Sequence, residues 1–185
     1  MSLRHTILAM LETGEGTGYG IAKKFQGTFN YFWNASHQQV YQELGKLSND
    51  GLVEFTSVEQ SGKPDKKIYR ITEKGHQELI KWIGIPNELP KVKDELVVKL
   101  VVGHLVDPQI LRTQMLRAKE LHKTKLEALH IFEQEHFNEE LPAPEVRLRH
   151  LTLKRGIEQH ESWLRWAEEV EEVINLMQEP CAEAV

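Results

Sequence analysis

The chain has 185 residues, 40% of them hydrophobic and 28% charged, with a net charge of −5. That content is enough to build a packed core in one ordinary domain or two small ones. No apolar run approaches the roughly 18 residues of a membrane span, and the N-terminus lacks the pattern of a secretory signal, so a soluble cytoplasmic protein with no membrane partner is expected.

The single cysteine, Cys181, rules out an intramolecular disulfide. It reads as a thiol in a frayed tail, with intermolecular pairing as the alternative. The negative charge is unevenly spread. Residues 1–83 hold 10 Lys and Arg against 9 Asp and Glu, whereas residues 84–185 hold 13 against 19. Within the nearly neutral first part, Lys63, Lys66, Lys67, Arg70 and Lys74 gather in residues 63–74 against only Asp65 and Glu73.

In chain order, Leu3, Ile7, Leu8 and Leu11 recur at helical spacing and end at Gly14-Glu-Gly16, which predicts a first helix of about 10 residues and a breaking loop. A second helix starts near Gly18-Tyr-Gly, with Ile21, Phe25 and Phe29 a turn apart. The aromatic run Phe29, Tyr31, Phe32 and Trp33 reads as a turn packed into a core; base stacking is the sharper alternative. Ser36 with Gln39 matches a capping box, so a third helix begins there. Val40, Leu44 and Leu47 form its buried stripe, Gln38, Gln42, Lys46 and Asn49 its outer face, and Asp50-Gly51 its stop. Gly45 lies on the outer side, where a missing side chain lets backbone approach a partner.

Alternation in residues 52–58 and again in 67–71 predicts two strands, with Gly62 and Pro64 in the turn between them. A fourth helix follows from Thr72 through Leu79, Ile80 and Ile83. An amide-rich helix followed at once by a basic hairpin is the pattern of a winged helix-turn-helix, a module that reads duplex DNA. Amides pair bidentately with adenine, and Lys46 can reach guanine or phosphate. Lys63, Lys66, Lys67 and Arg70 would meet phosphates or enter the minor groove. The bland alternative is a solvated polar face. His37, at the helix start, could donate to phosphate or simply complete the turn.

A linker at 84–92 separates this domain, residues 1–84, from a second at 92–179. There, a short apolar helix carries Leu96, Val97, Leu100 and Val101, and Asp107-Pro108 opens a segment free of proline and glycine to about Phe137. A second long segment runs from Glu145 to about Gln178, interrupted only by Gly156. Each would be about 45 Å long as a helix, too long to be covered by an 80-residue neighbour alone. Leu111, Met115, Leu129 and Phe132 form one stripe, and Leu153, Ile157, Leu164 and Trp166 belong to a broader one. A hairpin would bury part of each, and the remainder predicts a homodimer that shares these helices.

Catalytic constellations are thin: there is no P-loop, no dinucleotide-binding glycine pattern and no nucleophile elbow. Two Glu-x-x-His matches occur, Glu127/His130 and Glu133/His136, but they lie about 240° apart around one helix, whereas a di-iron site takes the pair from facing helices. The expectation is no enzyme, no metal and no cofactor. The competing readings are a helical interaction module that binds protein without reading DNA, and a metal-dependent helical enzyme.

Four blocks resemble PadR-like transcriptional regulators, and most closely the branch of AphA-like virulence activators. They are the opening Met-Ser-Leu with Ile7-Leu8, Thr17-Gly-Tyr-Gly-Ile21, residues 31–44, and residues 62–72. Leu151-Thr-Leu-Lys-Arg155 and Trp163-Leu-Arg-Trp-Ala167 resemble the family's last helix. The resemblance implies a mainly α protein with a small β-wing, and a homodimer holding two winged helices on a palindromic promoter site through its C-terminal helices. It places Ser36, His37, Gln38, Gln39 and Tyr41 on the recognition helix, and Lys63, Lys66, Lys67 and Tyr69 on the wing. Some members of the wider family bind small aromatic effectors between their domains, and no motif here marks such a ligand. The operator, the sense of regulation and the signal are not written in the sequence.

Overall fold

The computed structural model describes residues 3–26, 35–59, 66–88, 93–137 and 143–177. Phe29, Tyr31, Phe32, Trp33, Gly62, Lys63, Pro64 and Cys181 lie outside them. The chain divides into two compact units, Met1–Pro90 and Lys91–Val185.

The first unit runs α1 (Leu3–Glu12), β1 (Gly16–Thr17), α2 (Gly18–Gln26), α3 (His37–Asn49), β2 (Val53–Val58), β3 (Lys66–Ile71) and α4 (Glu73–Ile83). Its sheet has the order β1-β3-β2 and is antiparallel throughout, with Gly16 opposite Tyr69 and Phe55 opposite that same tyrosine on the other side. The two longer strands lie where the alternation in the sequence places them, although in β2 only Val53 is buried. β1 has no such signal, because two residues are too few to show a period. The core joins Ile7, Leu8 and Leu11 of α1, Ile21 and Phe25 of α2, Val40, Leu44 and Leu47 of α3, and Leu79 of α4. The α3 stripe is thus fully buried, as its spacing requires.

Both ends of α3 are fixed by local chemistry. At its start the Ser36 hydroxyl accepts the Gln39 N–H at 3.2 Å and the Gln39 side-chain carbonyl accepts the Ser36 N–H at 2.9 Å. At its end Gly51 adopts φ +71°, a left-handed conformation glycine takes without strain, while the Gly51 and Leu52 N–H groups return to the Ser48 and Leu47 carbonyls. Thr72 then ties the next helix to this corner: its hydroxyl donates to the Gly51 carbonyl at 2.8 Å and accepts from the Gly75 N–H at 3.1 Å.

The second unit contains α5 (Glu95–Val101), a 3-10 turn (Gly103–Leu105), α6 (Pro108–His136) and α7 (Pro144–Leu176). Asp107 caps α6 by accepting the Gln109 N–H at 2.8 Å, with Pro108 at the first helical position where no N–H is needed. Arg112 meets Asn175, Lys119 meets Glu171 at 2.6 Å and Glu133 meets His150 at 2.5 Å. Partners that rise along α6 while falling along α7 make the pair an antiparallel hairpin.

The hairpin already covers five of the eight residues expected at a dimer contact. Leu111, Met115, Leu129, Leu153 and Ile157 are buried within the single chain, so their apolar surface is already removed from water before any second copy arrives. Phe132, Leu164 and Trp166 are half-buried. Trp166 packs on the cluster of Leu111, Met115, Ala167 and Ile174, and Phe132 stacks on His136 with ring centroids 4.0 Å apart. The chain leaves other apolar side chains in water, among them Val98 at 66%, Val101 at 75% and Leu105 at 72% exposure. α5 is apolar around most of its circumference, and Leu96 and Leu100 pack on the unit's core from the other side.

Candidate nucleic-acid interface

Because Val40, Leu44 and Leu47 face inward, the helical period turns Gln38, Tyr41, Gln42, Lys46 and Asn49 outward, and all five are exposed. Gly45 stands among them with no heavy atom within 4 Å of where its Cβ would be. The ridge is therefore open, with a smooth spot where backbone can come close to a partner.

Not every expected contact residue is equally available. Ser36 and Gln39 are exposed, but their side-chain oxygens are engaged in the helix cap. His37 is partly buried and its ring sits 6.0 Å from that of Tyr19, in a tilted pairing. The Lys46 ammonium lies 3.4 Å from the Glu43 carboxylate, and Glu43 also faces Arg4 at 3.7 Å. The Lys46 side chain is 67% exposed, so solvent screens its pairing with Glu43 and it can exchange that carboxylate for another anion at small cost.

On the hairpin, Lys66, Lys67 and Arg70 are exposed, while Lys63 falls outside the described residues. The Lys67 ammonium lies 4.1 Å from the centre of the Phe55 ring, and Arg70 Nε donates to Glu54 at 2.8 Å. These cross-strand contacts hold the basic groups at the sheet surface. Tyr69 is placed differently from its basic neighbours. Expected among the contacting residues, it is only 7% exposed, because β3 is the central strand and one of its faces closes the core; its ring packs at 5.5 Å from Phe55.

Tyr19 is an exposed aromatic beside the expected site that sequence reasoning did not single out. It is 64% exposed at the start of α2, next to His37. Its signal was the Gly-Tyr-Gly run: Thr17 caps the helix by accepting the Gly20 N–H at 3.0 Å, which leaves the intervening aromatic outside. The Glu-x-x-His pairs do not assemble. Glu133 turns to His150 of α7 at 2.5 Å, with His130 at 3.7 Å, and among the described residues no three His, Cys, Asp or Glu converge as metal ligands. No described helix is long and apolar enough to cross a membrane.

A helix with an exposed amide ridge, stacked on two others and flanked by a basic hairpin, defines the class of winged helix-turn-helix proteins. Comparison with known proteins agrees on this class and narrows it. The transcriptional regulator PadR-like family model matches residues 7–81, and the virulence activator alpha C-terminal model matches residues 92–175. The probable transcriptional regulator Rv1176c of Mycobacterium tuberculosis is 32% identical, over 94% of this chain and 98% of its own length. Among solved structures, the Vibrio cholerae virulence activator AphA is 34% identical with a TM-score of 0.75, covering 95% of this chain and 99% of the other. Bacillus subtilis PadR in complex with operator DNA is 29% identical with a TM-score of 0.80, covering 93% and 98%. The chain belongs to the PadR-like family of transcriptional regulators.

Proposed function

We propose that the chain regulates transcription in the cytoplasm by binding duplex DNA as a homodimer on a palindromic promoter site, and that it catalyses no reaction. One observation carries the reading: the α3 face bearing Gln38, Gln42, Lys46 and Asn49 is open to solvent rather than turned into the core, and the basic strands follow it directly. Amide side chains on such a helix can read adenine edges, while Lys66 and Lys67 supply the phosphate contacts that dominate affinity. A relative of the same fold, Bacillus subtilis PadR, has been solved with operator DNA, which supports DNA binding by this chain.

A second copy would cover the apolar face left by α5 and the turn after it, around Val98, Val101 and Leu105, rather than the hairpin core. Two winged helices related by a twofold axis match a palindrome whose half-sites are one or more helical turns apart. The reading as a protein-binding module without DNA readout has no observation in its favour that DNA reading lacks.

A genome-wide map of bound fragments tests this directly. Enrichment of an inverted repeat upstream of genes, with Gln42→Ala changing preference at one or two base pairs of that repeat, is the expected result. Recovery of fragments without sequence bias, or an equal loss on every sequence from Gln42→Ala, contradicts base reading.

A further inference from the structure

Tyr41 projects from the outward side of α3, and its position is set by a glycine on another helix. Gly18, the first residue of α2, is buried; a Cβ there would stand 2.6 Å from Tyr41 Cε1, 3.1 Å from Cζ and 3.3 Å from Cδ1. No real Cβ sits that close, so one edge of the ring is seated on bare backbone. The rest of the side chain is open, with Tyr41 48% exposed. On the wing side, burial and then the Tyr41 phenol push the Tyr69 phenol's pKa up. Tyr69 is opposite Gly16 in the β1-β3 ladder, two residues before Gly18. α3 and the start of α2 thus meet at one aromatic ring, and the central wing strand pairs with the short strand that leads into α2.

We propose that Tyr41 is a positioning residue for sequence discrimination: seated on Gly18, its ring fixes the angle of α3 against α2 and the base of the wing, and so sets which base edges the amide ridge reaches. This rests on the DNA-reading assignment above. A tyrosine is suited to the task because it is rigid, with only two side-chain torsions to restrain. Base readout needs the helix held to within about 0.5 Å, which a loose contact would not provide. Glycine is required at 18 because any side chain there pushes the ring off its seat. Since the ring is half exposed, it can swing into solvent, and the protein should keep its fold while losing the alignment.

The test measures binding of the full chain to its selected site and to a scrambled duplex of equal length, for wild type, Gly18→Ala, Tyr41→Ala, the double variant and Tyr41→Phe, alongside melting temperature. Gly18→Ala and Tyr41→Ala should each cut the ratio of specific to non-specific affinity by about tenfold, the scale of a single mismatched base pair. In the Tyr41→Ala background Gly18→Ala should add nothing, and Tyr41→Phe, which keeps the ring, should stay within about twofold of wild type. Additive losses, or a Tyr41→Phe defect as large as that of Tyr41→Ala, would overturn the positioning role; the latter would mean that the hydroxyl itself touches DNA. If Gly18→Ala folds poorly, the contrast of Tyr41→Phe with Tyr41→Ala decides alone. Wild-type protein without preference for any duplex would remove the DNA-reading assignment itself, an outcome distinct from additivity.

Discussion

His122 of α6 and His160 of α7 face each other with their Nδ1 atoms 3.0 Å apart, and the Trp163 ring stacks on His122 at 3.8 Å between centroids. One ring donates and the other accepts, an arrangement that requires at least one Nδ1 to be unprotonated. Burial, then His160 and Lys125, hold His122 down to about 4 against the opposing pull of Asp94, while burial and Lys125 also lower His160. In the unfolded chain both rings titrate near the ordinary value of about 6.5. Between about pH 6.5 and 4 the unfolded state therefore binds more protons, so stability falls as pH falls through that window. Denaturant unfolding followed from about pH 7.5 to 4.5 should show this loss, and His160→Gln should make the dependence shallower. A profile identical in wild type and variant would count against it.

At Gly75, α4 packs tightly against the rest of its unit. A Cβ there would lie 2.1 Å from the Leu52 carbonyl oxygen and 2.8 Å from Ile71 Cγ1. Backbone cannot yield as a side-chain tip can, so Gly75→Ala should destabilise the first unit by about 1–3 kcal/mol or more, despite alanine's better helix propensity. Thermal melting measures it, and a neutral or stabilising result would show that α4 can shift freely.

Gly45 is the opposite case. With open space around its missing Cβ, Gly45→Ala should gain about 1 kcal/mol of stability from helix propensity alone. If the spot admits DNA backbone or bases, the same substitution should weaken duplex binding several-fold. A rise in melting temperature together with a fall in affinity is the expected pair of readings; equal or improved affinity would place Gly45 away from the duplex.

The hairpin core and the apolar α5 face should respond differently to substitution. Leu129→Ala removes a side chain buried within one chain and should cost about 2–5 kcal/mol. Val101→Glu, at a site 75% exposed, should instead convert the dimer to monomer with little loss of helical signal. Sedimentation velocity of the two variants separates these effects, and a Val101→Glu protein that stays dimeric would move the interface elsewhere.

Much of this organisation was legible in the residues. The Ser36/Gln39 cap, the Val40, Leu44 and Leu47 stripe, the Gly51 stop and the Asp107-Pro108 start are local rules, each confined to one or two turns, and the chain obeys them. What escaped depends on distance. Whether Leu111 or Leu129 faces its own hairpin or another copy cannot be told from a stripe, because both arrangements demand the same apolar spacing. β1 has only two residues, and its pairing with Tyr69 is visible only once the chain has turned back. The same central-strand position explains why Tyr69, set among basic neighbours in the sequence, is closed off while Lys66, Lys67 and Arg70 stay open. Gly18 showed as a helix start, not as the seat for a ring on another helix.

The most direct test of the central claim is the salt dependence of binding to a duplex carrying the selected site. Each neutralised phosphate contributes about −0.9 to the slope of log affinity against log salt, so a dimer using Lys66 and Lys67 from each copy should give a slope of about −3 to −4. Lys66→Ala should weaken binding to every duplex and flatten the slope by about 2, one unit per copy. A slope near zero, unchanged by Lys66→Ala, would contradict the assignment of the α3 ridge and its basic wing to DNA.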